Sequence, residues 1–190
     1  SWLERMNEGF VRDRARMYLL CYSGKHEEAI ALGERVLGNI SNDPLTLAIL
    51  GFAWTRSVGR ESTVRDYCVR ALELGGQDPY VCTLAGDSYY WLGDYEKSES
   101  LYRRAKILQP DFTWACAYLA ETLYRQRRYE DAIKVCQECL EENSGDLYAR
   151  TTLGLTLAKQ SDFDEAERHL RKVLESSPEN VHALSHLGLL

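Results

Sequence analysis

A regular spacing recurs along this chain and constrains its fold more than any other feature. The small residues Gly86, Ala120 and Gly154 lie 34 positions apart, and Gly188 continues the series. Two further sets keep the same step: Tyr95, Tyr129 and Phe163, then Ser98, Ala132 and Ala166. A fixed period of this length indicates a stack of similar units, because no single unit can bury its apolar surface alone.

The pattern within each period predicts helices. All four prolines (Pro44, Pro79, Pro110 and Pro178) lie between amphipathic segments, where a residue that cannot continue a helix belongs. Alternating β-branched runs bounded by hairpin dipeptides are absent, so we predict an all-α fold. Within each pair of helices, the recurring small residues let the two helices approach closely.

We place the repeat boundaries from this register. The extra residue that breaks the regular step is assigned before Leu45. Phe52 stands where other units carry Gly or Ala, so we expect looser packing in its unit. The start at Ser1 and the apolar pattern at the other end lead us to expect a piece of a longer chain, forming a single helical-repeat domain over 1–190. The predicted units are 10–44, 45–78, 79–112, 113–146, 147–180 and a partial 181–190.

The recurring residues carry a family resemblance. One unit reads Cys82, Ala85, Gly86, Tyr89, Ser98, Tyr102, Pro110, and another reads Arg150, Leu153, Gly154, Leu157, Ala166, Leu170, Pro178. This resembles the tetratricopeptide repeat (TPR) family, with its W-x2-L-G-x2-Y, A-x3-F, P pattern, although no unit carries the leading Trp. The resemblance implies a right-handed superhelical solenoid of antiparallel helix pairs, with about five repeats plus a partial one. It also implies that the first helix of each pair lines a concave surface.

Helical geometry separates two faces of each first helix. Because successive residues turn by about 100°, the face with Cys82, Gly86 and Tyr89 forms the core. The opposite face would line the groove, whereas Tyr102 and Tyr129 would pack between helices. Rings that recur at the repeat step could instead pack on each other as an inner seam, and both interpretations stay open. The predicted partner-binding residues are Tyr80, Asp87, Tyr90, Trp91, Trp114, Tyr118, Glu121, Tyr124, Arg125 and Tyr148.

Clustered Trp, Tyr and Arg are typical of interface hot spots. The hypothesis is that this groove binds an extended or helical peptide of a protein partner, with apolar side chains between the rings and Lys or Arg meeting Asp87 and Glu121. Some TPR proteins bind the C-terminal tail of chaperones through a clamp of Lys, Asn and Arg. The corresponding positions here form no basic fork, so that partner is disfavoured.

Composition excludes several other classes. A formal net charge of −6 argues against nucleic acid as a partner. No run approaches the roughly 18 apolar residues of a membrane span, and the first residues lack the build of a signal peptide. We therefore predict no membrane insertion and a cytoplasmic or nuclear location.

The candidate reactive residues have simpler interpretations. The six cysteines are scattered through helical sequence, so we expect free buried thiols. Cys136 and Cys139 could form a redox pair or half a zinc site, but both fall at packing positions of the repeat. His182 and His186 lie one turn apart, yet no Glu follows the first. We therefore predict no metal site and no cofactor, and no phosphate loop or nucleophile signature points to an enzyme.

The favoured function is a non-enzymatic protein–protein interaction scaffold. The alternative is a regulatory or substrate-recruiting arm of a multidomain enzyme whose catalytic domain lies outside these residues. A further alternative is self-association through the apolar end helix that carries Leu184, Leu187 and Leu190.

Overall fold

The computed structural model describes residues 2–40 and 42–188, with side chains from residue 9 onward. Within these ranges the chain forms eleven helices and no strand, which confirms the predicted all-α fold. The described residues exclude Leu190, so its predicted place in the end helix lies outside them. The helices are α1 (Trp2–Tyr22), α2 (His26–Asn39), α3 (Pro44–Trp54), α4 (Glu61–Gly75), α5 (Pro79–Trp91), α6 (Tyr95–Leu108), α7 (Thr113–Arg125), α8 (Tyr129–Glu142), α9 (Leu147–Lys159), α10 (Phe163–Ser176) and α11 (Val181–Leu187).

The chain divides into two compact units, Ser1–Leu101 and Tyr102–Leu190, with the division inside α6. In the first unit, α3 packs against both α4 and α5, and α1 packs against α2. In the second unit, α7 pairs with α8 and α9 pairs with α10. The end helix α11 packs on α10 through a cluster of Leu170, Val173 and Ala183.

Short polar side chains begin most of the first helices. Asp43, Asp78, Asp146 and Asn180 are N-caps whose side chains accept a hydrogen bond from a backbone N–H in the first turn. Such a cap satisfies a donor that would otherwise lack a partner at the helix start. Proline follows at the first helical position of α3 and α5, where its missing N–H costs nothing.

The helix starts locate the irregularity in the repeat. The number of residues from the start of the second helix of one pair to the start of the first helix of the next pair is constant along the chain. An example is the step from His26, where α2 begins, to Pro44, where α3 begins. The number of residues between the starts of the two helices of one pair is also constant from α5 onward. In the α3–α4 pair this number is larger by one residue. The extra residue therefore lies in the connection from Thr55 to Arg60. Its predicted place before Leu45 was wrong.

This shift changes which residue keeps the α3–α4 pair close. Gly51, and not Phe52, takes the position that Gly86 holds in the next pair. A Cβ on Gly51 would lie 3.1 Å from the Sγ of Cys68 in α4, a distance tighter than nine in ten real Cβ contacts. The prediction that this unit lacks a small residue and packs loosely was wrong, because it assigned Phe52 instead of Gly51 to the position of the small residue.

The cysteines divide into two classes. Cys21, Cys68, Cys82 and Cys136 are buried thiols outside any disulfide, as predicted. Cys116 of α7 and Cys139 of α8 instead form a disulfide, with their Cα atoms 5.9 Å apart, so the prediction of free thiols was wrong for this pair. Each of the two cysteines was predicted to pack within its own helix pair. The periodicity of a single helix does not show that the two positions face each other.

Candidate partner-binding site

A row of aromatic rings runs across α7 and α9 in the second unit. The Tyr118 and Tyr148 rings stack with centroids 4.9 Å apart, and the Trp114 centroid lies 6.3 Å from that of Tyr118. Tyr102 is fully buried beside Tyr118, which confirms its predicted role in packing between helices. Tyr118 is half-buried, whereas the side chain of Tyr148 is 40% exposed. We call Trp114, Tyr118 and Tyr148 the ring row.

A cleft of about 440 Å³ opens beside the ring row. Its walls combine the Tyr124 and Tyr148 rings with an ion pair on α7, in which Arg125 donates to Glu121 across 3.1 Å. Tyr124 is half-buried against Tyr129 of α8, with ring centroids 5.8 Å apart. Four of the ten predicted partner-binding residues therefore line one cleft, and two more form the ring row that borders it.

Residues of α11 and its N-cap complete the cleft, and they are not among the predicted partner-binding residues. Asn180, His182 and His186 line it together with Thr152 of α9. The repeat register contained the signal: His182 continues the series Trp114 and Tyr148, and His186 continues Tyr118 and Thr152. Burial, with smaller effects from the nearby His182 and Lys159, lowers the pKa of His186. This shift favours the neutral imidazole.

The cleft offers chemistry for recognition. It has aromatic faces for apolar groups, a carboxylate and a guanidinium for charged groups, and hydroxyl and imidazole groups for hydrogen bonds. Within residues 9–40 and 42–188, no group of three or more His, Cys, Asp and Glu side chains is placed to hold a metal ion.

The remaining predicted residues lie in the first unit, with different surroundings. Tyr80 is 46% exposed and Trp91 is 51% exposed, with the Arg56 guanidinium carbon 4.3 Å from the centre of the Trp91 ring. Tyr90 and Asp87 are buried. The hydroxyl of Tyr22 donates to the Asp87 carboxylate across 3.4 Å. Their burial argues against direct contact between these two side chains and a partner.

Comparison with protein families identifies the repeat. Two models described as "Tetratricopeptide repeat" match residues 83–146 and 115–179, together just over half of the chain. The chain belongs to the tetratricopeptide repeat family. TPR units stack into arrays that generally act as non-catalytic interaction scaffolds rather than as enzymes.

The curated relatives are much longer than this chain. It is 28% identical over 132 residues to the human "Protein O-mannosyl-transferase TMTC1", which covers 70% of this chain and 15% of the relative. It is 32% identical over 95 residues to the rat "Sperm-associated antigen 1", which covers 50% of this chain and 10% of the relative. The chain thus spans between a tenth and a sixth of these proteins.

Solved TPR structures share the fold across nearly the whole chain. The protein TTC0263 of Thermus thermophilus superimposes with a TM-score of 0.77 at 17% identity, covering 94% of this chain and 95% of its own. YrrB, described as "a TPR protein with an unusual peptide-binding site", superimposes with a TM-score of 0.67 at 20% identity, covering 99% of this chain and 96% of its own. At these identities the similarity establishes the fold.

A search of the described helices for a membrane span found none of sufficient length and apolar character. The cytoplasmic or nuclear location stays a prediction.

Proposed function

We propose that this chain is a protein–protein interaction module whose second unit binds a peptide of a partner protein, in extended or helical form, in the cleft beside the ring row. The supporting observation is the coincidence of independent features in one place. Residues selected by helical face and composition, namely Glu121, Tyr124, Arg125 and Tyr148, line a single open cleft.

The ring row supplies the apolar part of this recognition. Tyr148 presents an exposed ring that stacks on Tyr118, so a partner side chain can pack against a surface already held in position. Preorganised aromatic rings contribute contact area at little cost in conformational entropy.

The ion pair supplies the charged part. Glu121 is 17% exposed, whereas Arg125 is 50% exposed and reaches the solvent side of the cleft. A basic residue of the partner would meet Glu121, and a partner carboxylate would meet Arg125. Exposed pairs of this kind contribute more to specificity than to affinity.

Truncation of the ring row tests the proposal. After affinity capture with the intact protein and identification of the captured partner, the dissociation constant is measured by titration for the native protein and for Trp114→Ala and Tyr148→Ala. Each variant should weaken binding by about 2 kcal/mol, a factor of roughly 30. Phe163→Ala is the matched control, since this ring of α10 is 51% exposed and lies outside the cleft. Equal affinities for all four folded proteins would contradict the proposal.

A second candidate follows from the relatives. One of them is named a transferase, and this chain spans 15% of it, so a TPR segment accompanies a much longer chain there. This favours the alternative that the repeats form a substrate-recruiting arm of an enzyme. The sequence of the intact protein tests it: a catalytic domain outside residues 1–190 would support this candidate, and a protein built only of repeats would contradict it.

A further inference from the structure

A second cleft in the second unit lies close to the disulfide. It has a volume of about 460 Å³ and is lined by Lys106 of α6 and by Leu119, Val135 and Glu138 of α7 and α8. These positions neighbour Cys116 and Cys139 along their helices. The Nζ of Lys106 lies 3.6 Å from the Sγ of Cys116 and 2.8 Å from an Oε of Glu138. One cleft-lining lysine therefore contacts a disulfide sulfur directly.

Basic side chains outnumber acidic ones in the lining of this cleft. Arg103, Lys106 and Lys134 line it with two carboxylates, Asp131 and Glu138. Asp131 lies 2.6 Å from an Arg128 nitrogen, and Glu138 pairs with Lys106 within the lining. This local positive charge stands out on a chain with a formal net charge of −6.

We propose that the Cys116–Cys139 disulfide is a thiol–disulfide exchange site for an anionic low-molecular-weight thiol of the glutathione class, which reaches it through this cleft. The site is separate from the proposed peptide cleft and adds redox chemistry to the binding function. Both cysteines are buried, so exchange requires a local opening of the α7–α8 pair.

The position of Lys106 selects which sulfur is attacked. A cation beside a sulfur stabilises its thiolate, and the better-stabilised thiolate is the better leaving group. The incoming thiolate attacks Sγ of Cys139, the bond between the two protein sulfurs breaks, and its electron pair leaves on Cys116 beside Lys106. A mixed disulfide forms on Cys139. A second thiolate then attacks the sulfur of the bound thiol, releasing the oxidised thiol dimer and the Cys139 thiolate, and both protein thiolates take up protons.

The free Cys136 does not compete for this chemistry. It lies in the neighbouring cluster with Ala120 and Leu153. Burial, reinforced by the charge of Asp146, raises the pKa of its thiol well above the usual range. Since the thiolate is the nucleophile, Cys136 is inert at neutral pH.

The test begins with peptide mapping of the intact protein, alkylated without reduction after exposure to air. A linked pair of peptides carrying Cys116 and Cys139 is expected, and alkylation of both as free thiols would overturn the proposal. Reduction rates are then compared for anionic glutathione and cationic cysteamine, each normalised to its rate with a small-molecule disulfide. Glutathione should be faster by about three-fold at low salt, with the difference lost at high salt. Equal normalised rates would also overturn it.

Lys106→Met separates an electrostatic role from a structural one. If Lys106 stabilises the leaving thiolate, the variant should be reduced about three-fold more slowly, and acid-quenched mixtures of the native protein should carry glutathione on Cys139. If Lys106 only ties α6 to α8 through Glu138, its loss loosens the packing around the disulfide and reduction becomes faster, which would contradict the proposal. Lys172→Met, at an exposed lysine of α10, is the control and should leave the rate unchanged.

Discussion

Asp87 in the first unit and Glu121 in the second hold the same position in successive repeats, yet their surroundings differ. Asp87 is 2% exposed and accepts a hydrogen bond from the hydroxyl of Tyr22, which belongs to a distant part of the sequence. The Glu121 carboxylate pairs with Arg125, one turn along its own helix, and lines an open cleft. The position of a residue in the repeat therefore identifies the helix face on which it lies, whereas the neighbouring elements determine whether that face is buried or open to a partner.

The two units also differ in their covalent and backbone chemistry. Among the described residues, the cysteines of the first unit are buried thiols outside any disulfide, whereas a disulfide joins α7 to α8 in the second. The turns between paired helices differ as well. Their left-handed residues are Gly24, Gly59 and Gly93 in the first unit, and Arg127 and Ser161 in the second. The same repeat is thus stabilised by different means in its two halves, and each difference can be removed by mutation.

Removal of the disulfide should have the largest effect. The cross-link closes a loop with a sequence separation of 23, so the double variant Cys116→Ala, Cys139→Ala should lower the free energy of unfolding of the second unit by about 3 kcal/mol. Native-state hydrogen exchange should show faster exchange in α7 and α8, with α3 and α4 unchanged. A strong reductant applied to the native protein should reproduce this pattern.

Cys68→Ala provides the contrast, because this thiol is free and fully buried in the first unit. The cavity left by this substitution should lower the free energy of opening of α4 by about 1 kcal/mol, so its amides should exchange faster. Reductant should not change this effect. Identical protection of α7 and α8 in oxidised and reduced protein would show that the disulfide does not stabilise the pair.

The equivalent acids should give the next largest difference. Asp87→Ala removes a buried carboxylate and leaves its partners without it, so we expect a loss of about 2 kcal/mol in the free energy of unfolding. Glu121→Ala removes a partly exposed ion pair and should cost about 0.5 kcal/mol. Urea denaturation of both variants measures the difference directly.

Tyr22→Phe sharpens this second comparison. It deletes the hydroxyl that donates to Asp87 while keeping the ring, whose centroid lies 5.5 Å from that of Phe52. About 1 kcal/mol should be lost in the native background and much less when Asp87 is already Ala. Equal losses in both backgrounds would mean that Tyr22 stabilises the unit through its ring alone.

The fold was largely predictable because its signal is repeated. The helices, their pairing and the positions of the small residues Ala120 and Gly154 follow from local periodicity, and the same pattern occurs independently in several units. The register of the α3–α4 pair was not predictable from one sequence, because an added residue can be placed on either side of α3 when Phe52 and Gly51 are adjacent. The helix starts and the close approach of Gly51 to Cys68 distinguish the two placements.

The candidate site was partly predictable for a related reason. Helical face selected Tyr124, Arg125 and Tyr148 for the groove side, and all three line one cleft, while their part in partner binding stays a prediction. The same reasoning could not show that Asp87 is covered, since the covering residue Tyr22 belongs to a weakly patterned repeat far away in sequence. Long-range contacts of this kind, like the disulfide, depend on how two helices face each other. The periodicity of residues within one helix does not show which residues of another helix it faces.

The turn residues should give the smallest difference, and its sign is informative. Arg127 and Ser161 adopt φ values of 62° and 67°, whereas Gly93 holds 76° at the equivalent position. A side chain in the left-handed region costs about 1 kcal/mol, and part of the gain from glycine is lost to the entropy of the unfolded chain. Arg127→Gly and Ser161→Gly should therefore each raise the free energy of unfolding by about 0.5 kcal/mol, measured by thermal denaturation. Gly93→Ser should lower it by a similar amount for conformational reasons alone, because an added Cβ there would meet nothing within 4 Å. Loss of stability in Arg127→Gly would show that the contacts of the arginine side chain outweigh the strain of its backbone, and the second unit would then owe its non-glycine turns to packing.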